Sequence, residues 1–284
     1  MNQTFAIKPL VSVKDESLDT NLQGKLHLSI QSGEGRLAWA LFHIADNKYL
    51  ALESYSYPKV GEEEVLNYLK SLPWFGNVSS VSLAVVSDKT TLVPEPLFDE
   101  KVKHSFGDFN FPSAENQTML AAKVRSAGCF VVFALSKQKE LLYRNFFSGI
   151  KILHVSMPLL ESVLTNDKNE SSEKAYLNIR SKSMELIITK NGSLLYYNCF
   201  AYTTGEDVIY YLLFALEQLK LNPESISLEL MGEVEKNDSV YSIIHKYVRI
   251  VNFTPRSSRF DFSYRFSELP QHTFYTLYSQ YLCA

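Results

Sequence analysis

Apolar and polar positions along this chain run through a fixed series of periods, and the series occurs twice. Leu26 to Ile30 alternates, Leu37 to Ile44 is almost continuously apolar, and Tyr49 to Tyr55 alternates again. With turns at Gly33-Glu34-Gly35 and Asp46-Asn47, this predicts a meander of three strands. From Glu62 the period changes. Val65, Leu66, Leu69 and Leu72 share one helical face, Glu62 to Glu64 open the first turn, and Pro73 stops the helix. Val81 to Val86 then reads as a buried strand. The second series predicts strands at Ala175 to Arg180, Met184 to Thr189 and Leu194 to Tyr202, with Lys190-Asn191-Gly192 as a hairpin turn. A helix follows at Glu206 to Lys220, apolar on more than one side, and then a strand at Ile226 to Leu230. The offsets are 149 (Leu28 to Leu177), 144 (Gly61 to Gly205) and 145 (Val81 to Ile226), so order is kept while loop lengths drift. That argues for a duplicated fold.

The remaining segments complete an α/β reading. A helix at Ser239 to Tyr247, a strand at Val248 to Phe253 and an amphipathic helix near Ser267 to Tyr281 finish the second copy. Between the copies, Cys129 to Leu135 predicts a strand, Lys137 to Phe147 a helix capped by Ser136, Lys151 to Val155 a strand, and Leu159 to Leu164 a short helix behind Ser156 and Pro158. Residues 87–128, with Pro94, Pro96 and Pro112, are loop-rich and yield no assignment. The first twenty residues read as a leading arm or an edge strand. Thr165 to Lys174 (TNDKNESSEK) is the most linker-like run, which sets a first domain at 1–165 with an insertion at about 87–165, a linker at 166–174 and a second domain at 175–284.

Composition narrows the classes. The 284 residues suffice for two domains, and 46% hydrophobic and 13% aromatic residues supply their cores. A net charge of −3 gives no global attraction to nucleic acid or anionic lipid. No apolar run reaches bilayer length and no leader pattern opens the chain, so the expectation is a cytoplasmic protein without a membrane span. Cys129, Cys199 and Cys283 are odd in number and far apart, as expected of reduced thiols.

Three strands, a helix, a strand, a helix, a strand and a helix, present twice, resembles the actin-like ATPase fold, a duplicated ribonuclease H-like domain whose two mixed sheets face each other across a cleft. In detail the chain is similar to an uncharacterised Bacteroidetes family with that fold and, more distantly, to actin-like pilus-assembly and secretion proteins. The resemblance covers the chain from about residue 20. It implies, in active members, an aspartate near the end of each first strand, then a glycine, then hydroxylated residues in the turn. The carboxylates hold a metal ion and water while the hairpin turns offer N–H groups to phosphates. Here those segments are Ser29-Ile30-Gln31-Ser32-Gly33 and Asn178-Ile179-Arg180-Ser181. Serine and asparagine replace the aspartates, and Gln31 and Arg180 stand where glycine belongs. The Gly-Gly pair that packs on the base is reduced to Met231-Gly232-Glu233; the turn Thr203-Thr204-Gly205-Glu206 keeps the pattern best.

The expectation is therefore a degenerate cleft, partly filled by Arg180 and Gln31, whose candidate ligand-binding residues are Ser29, Ser32, Asn178, Ser181, Thr204, Gly205 and Gly232. No catalytic residue, metal or cofactor is expected. The function expected is an inactive scaffold or regulatory module for an unidentified protein partner. The alternatives are an ATP-binding, even ATP-hydrolysing, module using altered ligands with Mg²⁺, and a nucleic-acid-associated factor. The last rests on Arg256 to Phe266, where arginines and aromatics interleave; an edge strand with its aromatics in the core is the favoured reading of that run. Tyr196-Tyr197 and Tyr210-Tyr211 suit packing between the domains or a partner surface. The six histidines show no metal-ligand spacing, and His27, His43 and His154 in strand-like runs read as hydrogen-bonded core residues. Glu62 to Glu64 needs no metal, because a helix N-terminus accounts for it.

Overall fold

The run of alternating and continuous apolar residues after Gly24 builds the first of three sheets. A computed structural model describes residues 8–19, 24–57, 60–111 and 114–283. Its strands are β1 (Val11–Lys14), β2 (Leu26–Gly33), β3 (Arg36–His43), β4 (Lys48–Ser56), β5 (Val78–Val85) and β9 (Lys151–His154), in the order β1-β4-β3-β2-β5-β9. The first four pair antiparallel, and β2-β5 and β5-β9 are parallel. A second sheet repeats the plan with β10 (Lys174–Ile179), β11 (Ser183–Lys190), β12 (Ser193–Ala201), β13 (Ser227–Gly232) and β14 (Ile250–Phe253), in the order β12-β11-β10-β13-β14. Its senses match those of β4-β3-β2-β5-β9 one for one. The chain is α/β, with duplicated ribonuclease H-like halves facing each other across a cleft.

Helix α1 (Glu62–Ser71) starts where Glu64 accepts the Gly61 N–H at 2.9 Å and buries Val65, Leu66 and Leu69 on the outer face of the first sheet. Helix α3 (Lys137–Phe146), capped by Ser136, adds Tyr143 to the same core. On the second sheet α5 (Gly205–Gln218) and α6 (Ser239–Tyr247) play the α1 part.

Two helices lie between the sheets, each packed on the opposite half. Helix α4 (Ser156–Asn166) places Met157, Leu160 and Val163 against Tyr176, Ile187 and Met231 of the second sheet. Helix α7 (Tyr275–Ser279) places Leu277 and Tyr278 against Phe42 and Tyr49 of the first. The two helices meet where Ser162 and Tyr275 share a hydrogen bond of 2.8 Å.

Several elements differ from expectation. The unassigned run holds β6 (Thr90–Pro94), α2 (Lys103–Asn110) and β7 (Gln117–Val124), and with β8 (Cys129–Ser136) its strands make a separate antiparallel sheet β6-β8-β7. The continuous helix predicted near 267–281 is broken. Pro270 supplies no N–H, Phe274 sits in the left-handed region at φ 55°, and only α7 and two short 3₁₀ turns form. Beyond Thr254, residues assigned to the second half return to the first, where β15 (Asp261–Phe262) pairs with β4. The polar run at 165–174 is tethered: buried Asp167 accepts Tyr176 Oη–H at 2.5 Å and Thr189 Oγ1–H at 2.6 Å.

Candidate functional site

The ends of β2 and β10, the two first strands of the duplicated halves, meet at a cavity of about 520 Å³ between the sheets. Strand alternation decides which residues reach it. Gln31 and Gly33 line it from β2, while Ser32 between them points away. Ser32 is fully buried behind the sheet, where it donates to Glu62 and accepts from Lys139 Nζ at 2.7 Å. Burial would raise the Glu62 carboxyl; the Lys139 charge, with hydrogen bonds from Ser32, Lys139 and Tyr143, holds it below its ordinary value.

Ser29 shares the face of Gln31, two residues deeper, and lies outside the cavity wall. Ser82, beside it on β5, donates to Gln280 at 3.0 Å, so the C-terminal segment covers this part of the sheet. Thr204 and Gly205 also lie outside the cleft. The Thr204 hydroxyl accepts the Asp207 N–H, and the Asp207 carboxylate accepts the N–H groups of Thr203 and Thr204, both at 2.9 Å. Those bonds hold the Asp207 carboxyl below its ordinary value and close the helix N-terminus with the chain's own groups. Gly205 packs closely on α6, where an added Cβ would lie 3.3 Å from the Ile243 side chain.

Asn178, Ser181 and Gly232 do line the cleft, joined by Arg180. The Arg180 guanidinium donates to buried Glu185 at 3.0 Å and to Thr276 at 3.3 Å; Asn178 donates to the same Glu185 at 2.7 Å. Thr276 passes the connection on, donating to Gln31 at 2.8 Å. One chain of side chains thus runs Glu185–Arg180–Thr276–Gln31 from the second sheet, through α7, to the first. Gly232, at φ +91°, lies where a Cβ would be 2.1 Å from the Ile179 carbonyl, so no side chain fits there.

At the mouth the two hairpin turns touch. Glu34, in the first, accepts the Lys182 N–H at 3.0 Å and the Ser181 hydroxyl at 3.4 Å in the second. Arg36 and Glu233 pair across the cleft at 2.8 Å. Burial raises the Glu233 carboxyl above its ordinary value, with Arg36 and Arg180 opposing it in part. Glu235 and Asp238 add two more carboxylates to the lining.

The chain belongs to the family described as protein of unknown function (DUF3822). Its profile matches residues 15–251. Among solved structures, a Bacteroides thetaiotaomicron protein with actin-like ATPase fold and unknown function is similar at 21% identity and a TM-score of 0.72, over 81% of this chain and 91% of that one. A PilM–PilN type IV pilus biogenesis complex matches at 14% identity and a TM-score of 0.57, over 90% of this chain and 98% of that one. The first likeness places the chain in the actin-like ATPase fold. No protein of curated function matches the sequence.

His27 bonds Ser80 and Ser82, and His154 bonds Ser156 and the Ser87 carbonyl. Phe260, Phe262 and Phe266 enter the core of the first half, and Arg256, rather than facing water, sits over the rings of Phe262, Phe266 and Tyr278. Among the described residues, no helix is long and apolar enough to cross a membrane, and no three His, Cys, Asp or Glu side chains gather as metal ligands. Sequence reasoning missed Glu34, Glu185, Glu233 and Thr276. Glu34 in the first hairpin turn, Glu185 opposite Asn178 in the β10–β11 hairpin and Glu233 beside Gly232 were within reach; Thr276 comes from a distant segment.

Proposed function

We propose that the protein is a catalytically inactive relative of the actin-like ATPases that serves as a scaffold or regulatory module for another protein. One observation carries this reading. The Lys182 N–H, in the turn that offers N–H groups to phosphate in active members of the fold, donates instead to the Glu34 carboxylate. An internal anion holds the phosphate position.

The donor set agrees. Mg²⁺ with a triphosphate takes oxygen ligands that include one or two carboxylates. Ser29 is outside the cavity wall, and Asn178, whose amide N–H is held by Glu185, offers a neutral carbonyl oxygen where the pattern needs a carboxylate. The residues present do not fit a metal-bound triphosphate. Glu34, Glu233, Glu235 and Asp238 outnumber Arg36 and Arg180, both already paired, so an incoming polyphosphate meets net repulsion. Support for a protein partner comes from the pilus neighbour, whose structure is that of a complex. The enclosure of Arg256 by aromatic rings weighs against a nucleic-acid role for its segment.

Phosphate release from ATP tests the reading. In Mg²⁺ buffer, the purified protein should leave release at the uncatalysed background. Release above background that disappears in Asn178→Ala would contradict it and favour an ATP-hydrolysing module with altered ligands.

A further inference from the structure

The duplication leaves one edge covered and its counterpart open. In the first sheet the outer side of β4 is paired antiparallel with β1, from Val11↔Ser54 to Lys14↔Ala51. The equivalent strand of the second sheet, β12, pairs with β11 alone among the described residues. Exposed edges are ordinarily protected by charges or proline. From Asn191 to Thr204 the chain carries neither. Beside this strand, Tyr210 and Phe214 on α5 are 61% and 50% exposed and their rings stack at 6.1 Å. Tyr211, adjacent on the helix, stacks on Phe200 of β12 at 4.4 Å, so the aromatic stripe and the strand edge form one surface.

We propose that this surface is a homodimer interface, in which β12 pairs antiparallel with β12 of a second copy and joins the two five-stranded sheets. Three observations select a second copy. The covered counterpart shows that this edge position takes an antiparallel strand. A lone strand satisfies the open backbone groups but leaves Tyr210 and Phe214 in water, whereas the β12–α5 unit presents a strand and an aromatic helix face together. A two-fold axis sets that unit against itself, and the uncharged run 191–204 then opposes no like charges. In the free chain the Asn198 side chain accepts the Cys199 N–H at 2.9 Å; pairing displaces it. The interface is separate from the cleft and does not depend on how the cleft is read.

Sedimentation of the full chain over a concentration series tests this. A reversible species of twice 32.4 kDa should form below about 100 μM, a range that spans weak to moderate self-association. Tyr210→Lys/Phe214→Lys, at exposed positions, should weaken it at least about tenfold, or about 1.4 kcal/mol, without changing the far-ultraviolet circular dichroism. Hydrogen exchange on the unmutated protein gives an independent readout: β12 amides should be protected more strongly as concentration rises. A chain that stays monomeric through this range overturns the proposal. So does a dimer whose β12 amides exchange at a rate independent of concentration.

Discussion

Arg180 and Glu185 form the least replaceable pair at the cleft. Their side chains are 9% and 1% exposed, and Glu185 also anchors Asn178. Removing the cation strands a buried carboxylate, a change that costs about 3 to 5 kcal/mol. Arg180→Ala should therefore lower the unfolding free energy measured in urea by that amount, and Arg180→Met combined with Glu185→Gln should recover most of it. A cost below 1 kcal/mol for Arg180→Ala would mean that water solvates Glu185. His27 sets a pH dependence. Burial pushes its pKa down to about 4, so the native ring stays neutral where the unfolded ring, near 6.5, takes a proton. Its contribution is present above pH 6.5 and drains away as pH falls toward 4. Between pH 7 and pH 5 that loss is about 2 kcal/mol, and His27→Asn should lose that much less than the parent over the same interval. Equal pH slopes in the two proteins would contradict the assignment. Residue-level legibility was uneven. The period of two that predicted β2 also implies that Gln31 and Ser32 face opposite ways, so the absence of Ser32 from the cleft was readable. The place of Glu185 was also within reach, since the β10–β11 hairpin sets it opposite Asn178; that of Thr276 was not, because tertiary packing alone brings it to Arg180.

Elements with a strong period were readable from the chain, and those held by distant packing were not. Strands β2 to β4, β10 and β11 alternate or run apolar because both faces are covered, and half-buried β12 was readable from the hairpin turn before it. The insertion resisted assignment because β6 and β7 are only half-buried and prolines interrupt the run between them. The C-terminal helix failed for another reason. Its apolar face exists, and Phe274, Leu277, Tyr278 and Tyr281 all reach the first core, but a left-handed Phe274 breaks the helix, and only the short α7 behind it contacts β2 and β3. Two predictions belong here. Leu277→Ala, at a fully buried position far along the chain from the sheet it covers, should cost about 2 to 5 kcal/mol in urea unfolding; a cost under 1 kcal/mol would show that α7 is dispensable to the first half. Thr204→Ala should cost about 1 kcal/mol through loss of the α5 cap. Since that N-terminus is closed by Asp207, the substitution should not alter any nucleotide response.

Across the whole molecule, the exchange of α4 and α7 ties the halves together. Each half completes its core with a helix from the other, and the Arg180–Thr276–Gln31 chain and the Glu34 latch add polar connections across the cleft. The halves should unfold together. Trp39 and Trp74, the two tryptophans, both sit in the first core, so their fluorescence reports that half while circular dichroism reports both. The two urea transitions should coincide, and separated midpoints would mean that the halves fold independently. A molecule bolted shut in this way is suited to presenting a fixed surface and poorly suited to opening and closing on nucleotide. The most direct test is a thermal-shift titration with ATP and ADP, with and without Mg²⁺. A ligand at 100 times its Kd stabilises the folded state by about 2.7 kcal/mol, enough to move a melting midpoint by several degrees. The account predicts no saturable, nucleotide-specific shift up to millimolar concentrations. A shift that saturates with ATP and Mg²⁺ would contradict it.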